Sequence, residues 1–210
     1  MDILTLNKKA WDKIGGKTAS PYIKHKKYLE IFNLFCKKLP KNAAVLDLGC
    51  GPGLPITKEL VSKGFRVTAL DISDTMIKLA KKNVVGPKYI KMSMTDIAFK
   101  DQFDGIISSY TMLCLDVKDF IKTAKKIAKA LKKNGFFFLI LNEPPPNFKA
   151  EPEDNFTEID GQKMFSRPYP ENEIQKIFSE CDLKIIKVAR ETIISKMYGK
   201  EYCLIVLMQK

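Results

Sequence analysis

Short apolar segments alternate with stretches of helical periodicity along most of the chain. Runs of aliphatic, β-branched and aromatic residues predict five buried strands, which begin near Val45, Phe65, Tyr89, Phe103 and Gly135. Helical patterns lie between these strands. Because strands that alternate with helices usually pair in parallel, the pattern predicts a doubly wound α/β fold, with helices on both faces of a mostly parallel sheet.

The last third of the chain departs from this alternation. A helix is predicted from about Glu171 to Cys181, and two apolar strands follow it, Leu183–Val188 and Glu201–Met208. The connector between the two strands is too short for a crossover helix and its turns. We therefore expect the two strands to be antiparallel neighbours.

A glycine-rich turn follows the first predicted strand, with Gly49, Gly51 and Gly53 ahead of a helix that is predicted from about Pro55 onward. Glycine lacks a Cβ, so the backbone here can adopt positive φ and approach a ligand closely. The free N–H groups of the following helix would face that ligand. Such turns are typical of nucleotide-like cofactor sites, although glycines there can also serve a purely steric purpose. The dinucleotide fingerprint is disfavoured, because Leu54 occupies the position of its third glycine.

An acidic residue, Asp71, ends the second predicted strand. It lies about twenty residues past the glycine turn, where nucleotide-binding folds place the carboxylate that accepts the ribose hydroxyls. Asp71 could instead cap the following helix, but Ser73 and Asp74 are better placed to do so. We therefore predict that Asp71 binds a ribose.

The pattern D-x-G-x-G-x-G, which runs from Asp47 to Gly53, resembles motif I of the class I S-adenosylmethionine-dependent methyltransferases. The resemblance covers roughly residues 40–210 and is to the small-molecule type. It implies a seven-stranded sheet that ends in a C-terminal antiparallel hairpin, and S-adenosylmethionine as cofactor, with S-adenosylhomocysteine as product. In that family an aspartate after the third strand receives the adenine amino group and the next apolar side chain packs on the ring, and Asp96 and Ile97 stand at these positions. The cofactor contacts that the resemblance implies are Asp47, Gly49, Cys50, Gly51, Pro52, Gly53, Asp71, Ile72, Met76, Asp96, Ile97 and Ser109.

We expect one methyltransferase domain over residues 1–210, with two segments that enclose a substrate. Residues 1–40 are predicted to form an N-terminal helical cap. Residues 142–170 are predicted to be a lid-like insertion after strand five, with a type I′ hairpin at Asp160-Gly161. The aromatic residues of this insertion could line a hydrophobic pocket or merely anchor the loop; they are Phe148, Phe156, Phe165 and Tyr169.

The sequence does not identify a dedicated catalytic base. The sulfonium methyl group is already activated, so the enzyme mainly has to hold the acceptor in line with it. The candidates for a catalytic role are Tyr22, His25 and Tyr110. The Asn/Asp-Pro-Pro-aromatic motif of nucleic-acid amino-methyltransferases is absent after strand four, where the sequence is Ser108–Cys114.

The net charge of +12 raises the possibility of a nucleic-acid substrate. Only three of the 36 basic residues are arginine, however, and the lysines between 122 and 133 have the spacing of a solvated helix face. The lid-like insertion would also repel a phosphate backbone, because it carries Glu151, Glu153, Asp154, Glu158 and Asp160. We therefore expect a small neutral or cationic acceptor, and keep as alternatives an RNA or protein methyltransferase, or a non-catalytic protein that binds S-adenosylmethionine. An NAD(P)-dependent oxidoreductase is the least favoured reading.

The five cysteines are scattered and odd in number, which favours neither a disulfide framework nor a metal site. The longest apolar run, Phe136–Leu141, is too short to span a bilayer, and the N-terminus lacks the order of a signal peptide. We therefore expect a cytoplasmic protein without a membrane partner, as a monomer or homodimer.

Overall fold

The computed structural model describes residues 2–18, 25–147, 155–195 and 199–210. Its centre is a seven-stranded sheet with the strand order β3-β2-β1-β4-β5-β9-β8. Strands β1 to β5 pair in parallel, whereas β9 is antiparallel to both of its neighbours. The predicted doubly wound sheet with its C-terminal antiparallel hairpin is therefore confirmed. The strands are β1 (Ala44–Leu48), β2 (Arg66–Asp71), β3 (Lys88–Lys91), β4 (Phe103–Ser109), β5 (Leu131–Asn142), β6 (Phe156–Ile159), β7 (Gln162–Phe165), β8 (Lys184–Ser195) and β9 (Gly199–Gln209).

Helices cover both faces of the sheet, as the alternation of strands and helices predicts. On one face, Phe120 of α5 and Ile174 of α6 belong to one buried cluster. On the other face, Tyr28 of α2, Leu60 of α3 and Ala80 of α4 belong to a second cluster. The helices are α1 (Ile3–Ile14), α2 (Lys26–Lys38), α3 (Ile56–Ser62), α4 (Asp74–Asn83), α5 (Val117–Ala130) and α6 (Glu171–Ser179), with short 3-10 turns at Gly15–Thr18, Met94–Asp96 and Met112–Cys114.

The lysine-rich helix α5 illustrates why these elements form. Phe120 and Ala124 are fully buried against the sheet, whereas Lys122, Lys125 and Lys129 are exposed on the opposite face. This spacing follows the helical period of about 3.6 residues, so one face is apolar and the other is solvated. The structure therefore agrees with the interpretation of these lysines as a solvated helix face.

The small hairpin β6–β7 lies outside the main sheet. Its turn residues Asp160 and Gly161 both have positive φ, at 50° and 70°, as the predicted type I′ turn requires. Ile159 and Met164 of the hairpin form a buried cluster with Ala10 and other apolar residues of α1. The hairpin is therefore attached to the N-terminal helix.

Two aromatic side chains of the insertion pack into the protein interior. Tyr169 is fully buried, stacks on Phe120 with ring centroids 4.2 Å apart, and donates a hydrogen bond to the carbonyl of Leu115 (2.8 Å). Phe165 is also buried, while Phe156 is exposed. Tyr169 therefore anchors the segment after the hairpin. Phe148 lies outside the described residues.

The C-terminal hairpin is longer than the apolar pattern predicts. Strand β8 continues past Val188 to Ser195, because Glu191 and Thr192 keep pairing with Cys203 and Tyr202 of β9. Backbone hydrogen bonds hold these polar residues in the ladder, and hydrophobic periodicity does not detect such pairing. None of the helices in the described part of the chain has the length and apolar character that crossing a membrane requires.

Candidate functional site

The glycine turn joins the end of β1 to the start of α3 at the carboxyl edge of the sheet. The backbone N–H groups of Gly49 and Cys50 both donate to the carbonyl of Leu70, at 2.8 and 2.9 Å. These bonds hold the turn against the end of β2. In the strand order, β1 and β4 are the neighbours at which the direction of winding reverses, and ligands of doubly wound folds bind at this position.

The three glycines of the turn have positive φ, but a Cβ atom would meet different surroundings at each of them. A Cβ on Gly49 would lie 2.5 Å from Cγ2 of Thr111, which is too close for any side chain. A Cβ on Gly53 would lie 3.3 Å from Ala80, so this glycine allows the turn to pack on α4. A Cβ on Gly51 would meet no atom within 4 Å. Gly51 therefore faces open space.

A cavity of about 170 Å³ lies beside the turn. Side chains of α1, at Leu4, Asn7 and Trp11, form one of its walls. The remaining residues of its lining are Asp47, Gly49, Cys50, Gly51, Pro52, Leu54, Pro55, Ile56, Leu70, Asp71, Ile72, Met76, Met92, Ser93, Met94, Ser109, Tyr110, Thr111, Cys114 and Leu115.

Asp71 ends β2 and is buried at the edge of this cavity. Its Oδ2 accepts a hydrogen bond from the backbone N–H of Gly51 (2.9 Å), and its Oδ1 accepts one from the N–H of Ser73 (2.8 Å). Burial raises the pKa of Asp71 to about 6, against the lowering effect of these two bonds, and the nearby Asp12 carboxylate raises it further. Ser73, rather than Asp71, caps α4, because its hydroxyl accepts from the N–H of Met76.

Asp47 is more deeply buried, with 2% of its surface exposed. Its Oδ2 accepts a hydrogen bond from the hydroxyl of Thr57 on α3 (2.6 Å). Burial raises the pKa of Asp47 to about 7; the Thr57 bond lowers it, and the charge of Asp71 raises it. Asp47 thus connects β1 to α3 beneath the glycine turn.

Most of the predicted cofactor residues lie together around the cavity. Gly53, Asp96 and Ile97 are not part of its lining. Gly53 packs on α4, Asp96 is exposed at the end of a 3-10 turn, and Ile97 is buried in the core. The cofactor contacts of all twelve predicted residues stay predictions. The predicted residues that line the cavity are Asp47, Gly49, Cys50, Gly51, Pro52, Asp71, Ile72, Met76 and Ser109.

The three candidate catalytic residues have different locations. Tyr110 lines the cavity and has a positive φ of 55°, which is unusual for an aromatic residue. His25 is the N-cap residue of α2 and does not line the cavity; its Nδ1 lies 4.0 Å from Oε1 of Glu191 on β8. Tyr22 lies outside the described residues.

The sequence did not reveal the contribution of Asn7. Its Nδ2 donates to the carbonyls of Cys114 (3.1 Å) and Phe165 (2.9 Å), and its Oδ1 accepts from the N–H of Phe165 (2.8 Å). Asn7 therefore joins α1 to β7 and to the segment after β4. The available signal was a polar residue on the buried face of an amphipathic helix, between Leu4 and Ala10.

A second cavity of about 650 Å³ lies close to the first. The hydroxyl of Tyr110, which lines the first cavity, donates a hydrogen bond to Sγ of Cys203, which lines the second (2.9 Å). The lining of the second cavity is Glu143, Pro144, Pro145, Pro146, Asn155, Arg167, Pro168, Pro170, Arg190, Glu191, Thr192, Tyr202 and Cys203.

The two arginines of the second cavity form ion pairs. Arg190 donates to both carboxylate oxygens of Glu143, at 2.6 and 2.9 Å, and also to Glu171. Arg167 donates to both carboxylate oxygens of Glu173, at 3.1 and 3.0 Å. Bidentate pairing of this kind neutralises a guanidinium group locally.

Comparisons with known proteins agree with this architecture. Residues 45–135 match the family described as "Methyltransferase domain". The YqeM protein of Bacillus subtilis is 27% identical over 152 residues, which are 67% of this chain and 57% of that protein. The ubiquinone biosynthesis O-methyltransferase of Rickettsia bellii is 30% identical over 99 residues, which are 43% of this chain and 38% of that enzyme. The chain thus spans about half or less of these curated relatives.

A solved structure extends the likeness of the fold over nearly the whole chain. The 1,6-didemethyltoxoflavin-N1-methyltransferase of Burkholderia thailandensis, with its substrate and S-adenosylhomocysteine bound, superimposes with a TM-score of 0.75 at 16% identity. The superposition covers 98% of this chain and 88% of that one. The chain therefore has the fold of this methyltransferase, and its residues 45–135 match a methyltransferase domain.

The cavity has chemistry suited to S-adenosylmethionine, the cofactor that the sequence resemblance implies. The open space at Gly51 leaves room beside the backbone, and the Asp71 carboxylate can accept hydrogen bonds from ribose hydroxyls. Ile72, Met76 and Met92 add apolar surface of the kind that packs on an adenine ring. The described residues contain no cluster of His, Cys, Asp or Glu that could hold a metal ion, and the five cysteines are free.

Proposed function

We propose that the protein transfers the methyl group of S-adenosylmethionine to a small-molecule acceptor by in-line displacement. The observation that carries this proposal is the position of the first cavity. Asp71 and the glycine turn line this cavity, and Tyr110 connects it to the second cavity through the bond to Cys203. The sulfonium group supplies an activated methyl. The protein then has to bind the two reactants and align them.

In this proposal each cofactor residue has a limited task. Asp71 holds the ribose hydroxyls, and Ile72 and Met76 pack on the adenine. Asp47 fixes the turn by its bond to Thr57 (2.6 Å), so that the backbone beside Gly51 stays in place. Ser109 and Tyr110, at the end of β4, lie where the methionine part of the cofactor would meet the acceptor.

The second cavity favours a small acceptor without a large charge. Its arginines are paired with Glu143, Glu171 and Glu173, so neither guanidinium group is available to grip a phosphate backbone. The prolines at 144–146 and the ring of Tyr202 supply apolar surface. Two of the similar proteins have names that refer to small molecules, a ubiquinone biosynthesis O-methyltransferase and a 1,6-didemethyltoxoflavin-N1-methyltransferase.

We further propose that two elements cover the reaction site. Helix α1, within residues 1–40, supplies Leu4, Asn7 and Trp11 to the wall of the cofactor cavity. The hairpin β6–β7, within residues 142–170, packs against the same helix and is bonded to Asn7. A cover of this kind would exclude water from the sulfonium group, and it admits a small acceptor more readily than a folded RNA.

Calorimetric titration tests the cofactor site. We expect micromolar binding of S-adenosylmethionine and S-adenosylhomocysteine, and no comparable binding of NADH or NADPH. Asp71→Ala should abolish binding of the sulfur cofactors because the ribose loses its acceptor. The matched control is Glu30→Ala, which removes an exposed carboxylate on α2 that is paired with Lys27. Equal weakening in both variants, or preferential binding of NADH, would contradict the assignment.

A labelled-methyl experiment tests the acceptor. The protein is incubated with S-adenosylmethionine that carries an isotopically labelled methyl group and with separate small-molecule, RNA and protein fractions of a cell extract. Label in the small-molecule fraction supports the proposal, and label in RNA or protein supports the alternative acceptor class. Tight binding of S-adenosylhomocysteine without any transfer would instead indicate a non-catalytic binding protein. His25→Ala with undiminished transfer would exclude His25 as a base.

A further inference from the structure

The first helix carries a carboxylate that caps a different helix. Oδ1 of Asp12, near the end of α1, accepts hydrogen bonds from the hydroxyl of Ser73 (2.6 Å) and from the backbone N–H of Thr75 (3.2 Å). Ser73 is the N-cap of α4, and its own Oγ accepts from the N–H of Met76 (3.1 Å). Asp12 and Ser73 thus accept hydrogen bonds from two N–H groups at the start of α4 that have no partner within the helix. The negative charge of Asp12 is also favourable at the N-terminus of a helix.

The same serine connects Asp12 to the cofactor site. The N–H of Ser73 donates to Oδ1 of Asp71 (2.8 Å), so hydrogen bonds run without a gap from α1 to the carboxylate that is proposed to hold the ribose. Ser73 is fully buried. The residue before Asp12 is Trp11, which lines the cavity. Asp12 is therefore adjacent in sequence to a residue of the cavity wall and is joined to Asp71 through Ser73.

We propose that Asp12 is a positioning residue for the cofactor, which holds α1 closed over the cavity and acts on Asp71 through Ser73. This inference rests on the proposed cofactor site and adds to it a residue that touches neither reactant. When Asp12 is bonded to Ser73 and Thr75, the wall formed by α1 is fixed to the start of α4. When those bonds are lost, α1 is attached less tightly, and the cofactor dissociates faster.

Asp12 also acts on Asp71 by its charge. Burial is the main reason that the pKa of Asp71 is raised to about 6, and Asp12 adds to the rise because both groups are negative. The pKa of Asp12 itself is lowered to about 2: its partial burial is outweighed by hydrogen bonds from Lys8, Ser73 and Thr75. The charged groups around this chain of bonds are Lys8 and Asp12 on α1, Asp47 on β1, Asp74 on α4 and Lys91 on β3.

Binding of S-adenosylhomocysteine measures the positioning role. At pH 8, Asp12→Ala should raise the dissociation constant roughly fivefold, the factor that corresponds to the loss of about one helix-capping interaction. The dissociation rate should rise with it. The matched control is Asp2→Asn, which removes one negative charge from the same helix while Asn can still cap it. This control should leave the dissociation constant unchanged.

The pH profile separates this role from a merely structural one. In the unchanged protein, affinity should fall as the pH drops through about 6, because the ribose needs the ionised form of Asp71. Asp12→Asn keeps the shape of the side chain but removes its charge, so the fall should move to a lower pH. An unchanged dissociation constant in Asp12→Ala together with an unmoved profile in Asp12→Asn would overturn the inference. If the unchanged protein fails to bind S-adenosylhomocysteine, the cofactor site and this inference both fall.

Discussion

Gly49 and Thr111 approach so closely that a Cβ atom at residue 49 would lie 2.5 Å from Cγ2 of Thr111. The hydroxyl of Thr111 also donates to the carbonyl of Leu48 (2.7 Å), directly before the glycine. This contact joins the turn after β1 to the segment after β4. The conformation of the glycine turn therefore depends partly on Thr111, which lies about sixty positions later in the chain.

Gly49→Ala should destabilise the protein by at least about 2 kcal/mol, because the new methyl group meets Thr111 and the residue must keep a positive φ. Gly51→Ala should cost only about 1 kcal/mol, because its Cβ meets nothing and only the backbone strain remains. Urea denaturation measures both losses. Gly51→Ala should still fold, yet bind S-adenosylhomocysteine more weakly. Equal losses in the two variants would show that the Thr111 contact is unimportant.

Asp47→Asn should increase the free energy of unfolding at pH 8. Burial raises the pKa of Asp47 to about 7 in the folded state, from 3.8 for a free carboxyl, so the folded protein binds this proton more tightly than the unfolded chain. Stability is therefore expected to fall as the pH rises from about 4 to about 7 and to level off above that. Asparagine carries no charge, so it removes the loss of stability that the ionised, nearly fully buried carboxylate causes, which is on the order of 1–4 kcal/mol. Its Oδ1 can still accept the hydrogen bond from Thr57.

Urea denaturation between pH 5 and pH 8 tests the prediction for Asp47. The unchanged protein should lose stability over this range, and Asp47→Asn should lose less. Asp71 contributes a slope of the same sign, because its folded pKa is also raised, to about 6. A variant that is less stable than the unchanged protein at pH 8 would show that the Asp47 charge is compensated in the fold.

Asn7→Ala should loosen both covering elements together. Asn7 is 4% exposed and satisfies the N–H and carbonyl of Phe165 as well as the carbonyl of Cys114. Removing the amide leaves these backbone groups without that partner, at a cost of about 2–3 kcal/mol. Hydrogen exchange at the Phe165 amide should become faster, and the melting temperature should fall. The matched control, Asn172→Ala, removes an exposed amide on α6 and should change neither quantity.

A double-mutant cycle tests the bond between the two cavities. Tyr110→Phe removes the hydroxyl that donates to Sγ of Cys203 (2.9 Å) and keeps the ring. We expect a loss of about 0.5–1.5 kcal/mol for this variant, and a smaller further effect when it is combined with Cys203→Ala. Thermal or urea denaturation of the four proteins gives the coupling energy. Strictly additive losses would mean that the two side chains do not interact.

The local pattern of the sequence determined the order and nature of the elements. Apolar runs and helical spacing predict β1 to β5 and the helices between them, because burial of one face requires these periods. The spacing of Gly49, Gly51 and Gly53 and the acid at Asp71 were equally readable, since they depend on neighbouring backbone geometry. The short connector after Val188 predicted the antiparallel hairpin. Its full length to Ser195 was not predicted, because Arg190, Glu191 and Thr192 interrupt the apolar pattern and stay in the strand through cross-strand pairing.

The tertiary structure decided which residues share the site. Asn7, Trp11 and Thr111 reach the cavity because α1 and the segment after β4 fold back over the glycine turn. The bond from Asp12 to Ser73 joins residues 61 positions apart, and a helical pattern cannot show that one helix caps another. The sequence by itself determined the fold and the cofactor motif, because both follow from short-range periodicity and backbone freedom. The cover of the site and the raised pKa values of Asp47 and Asp71 arise only from long-range packing, which removes water and brings distant charges together.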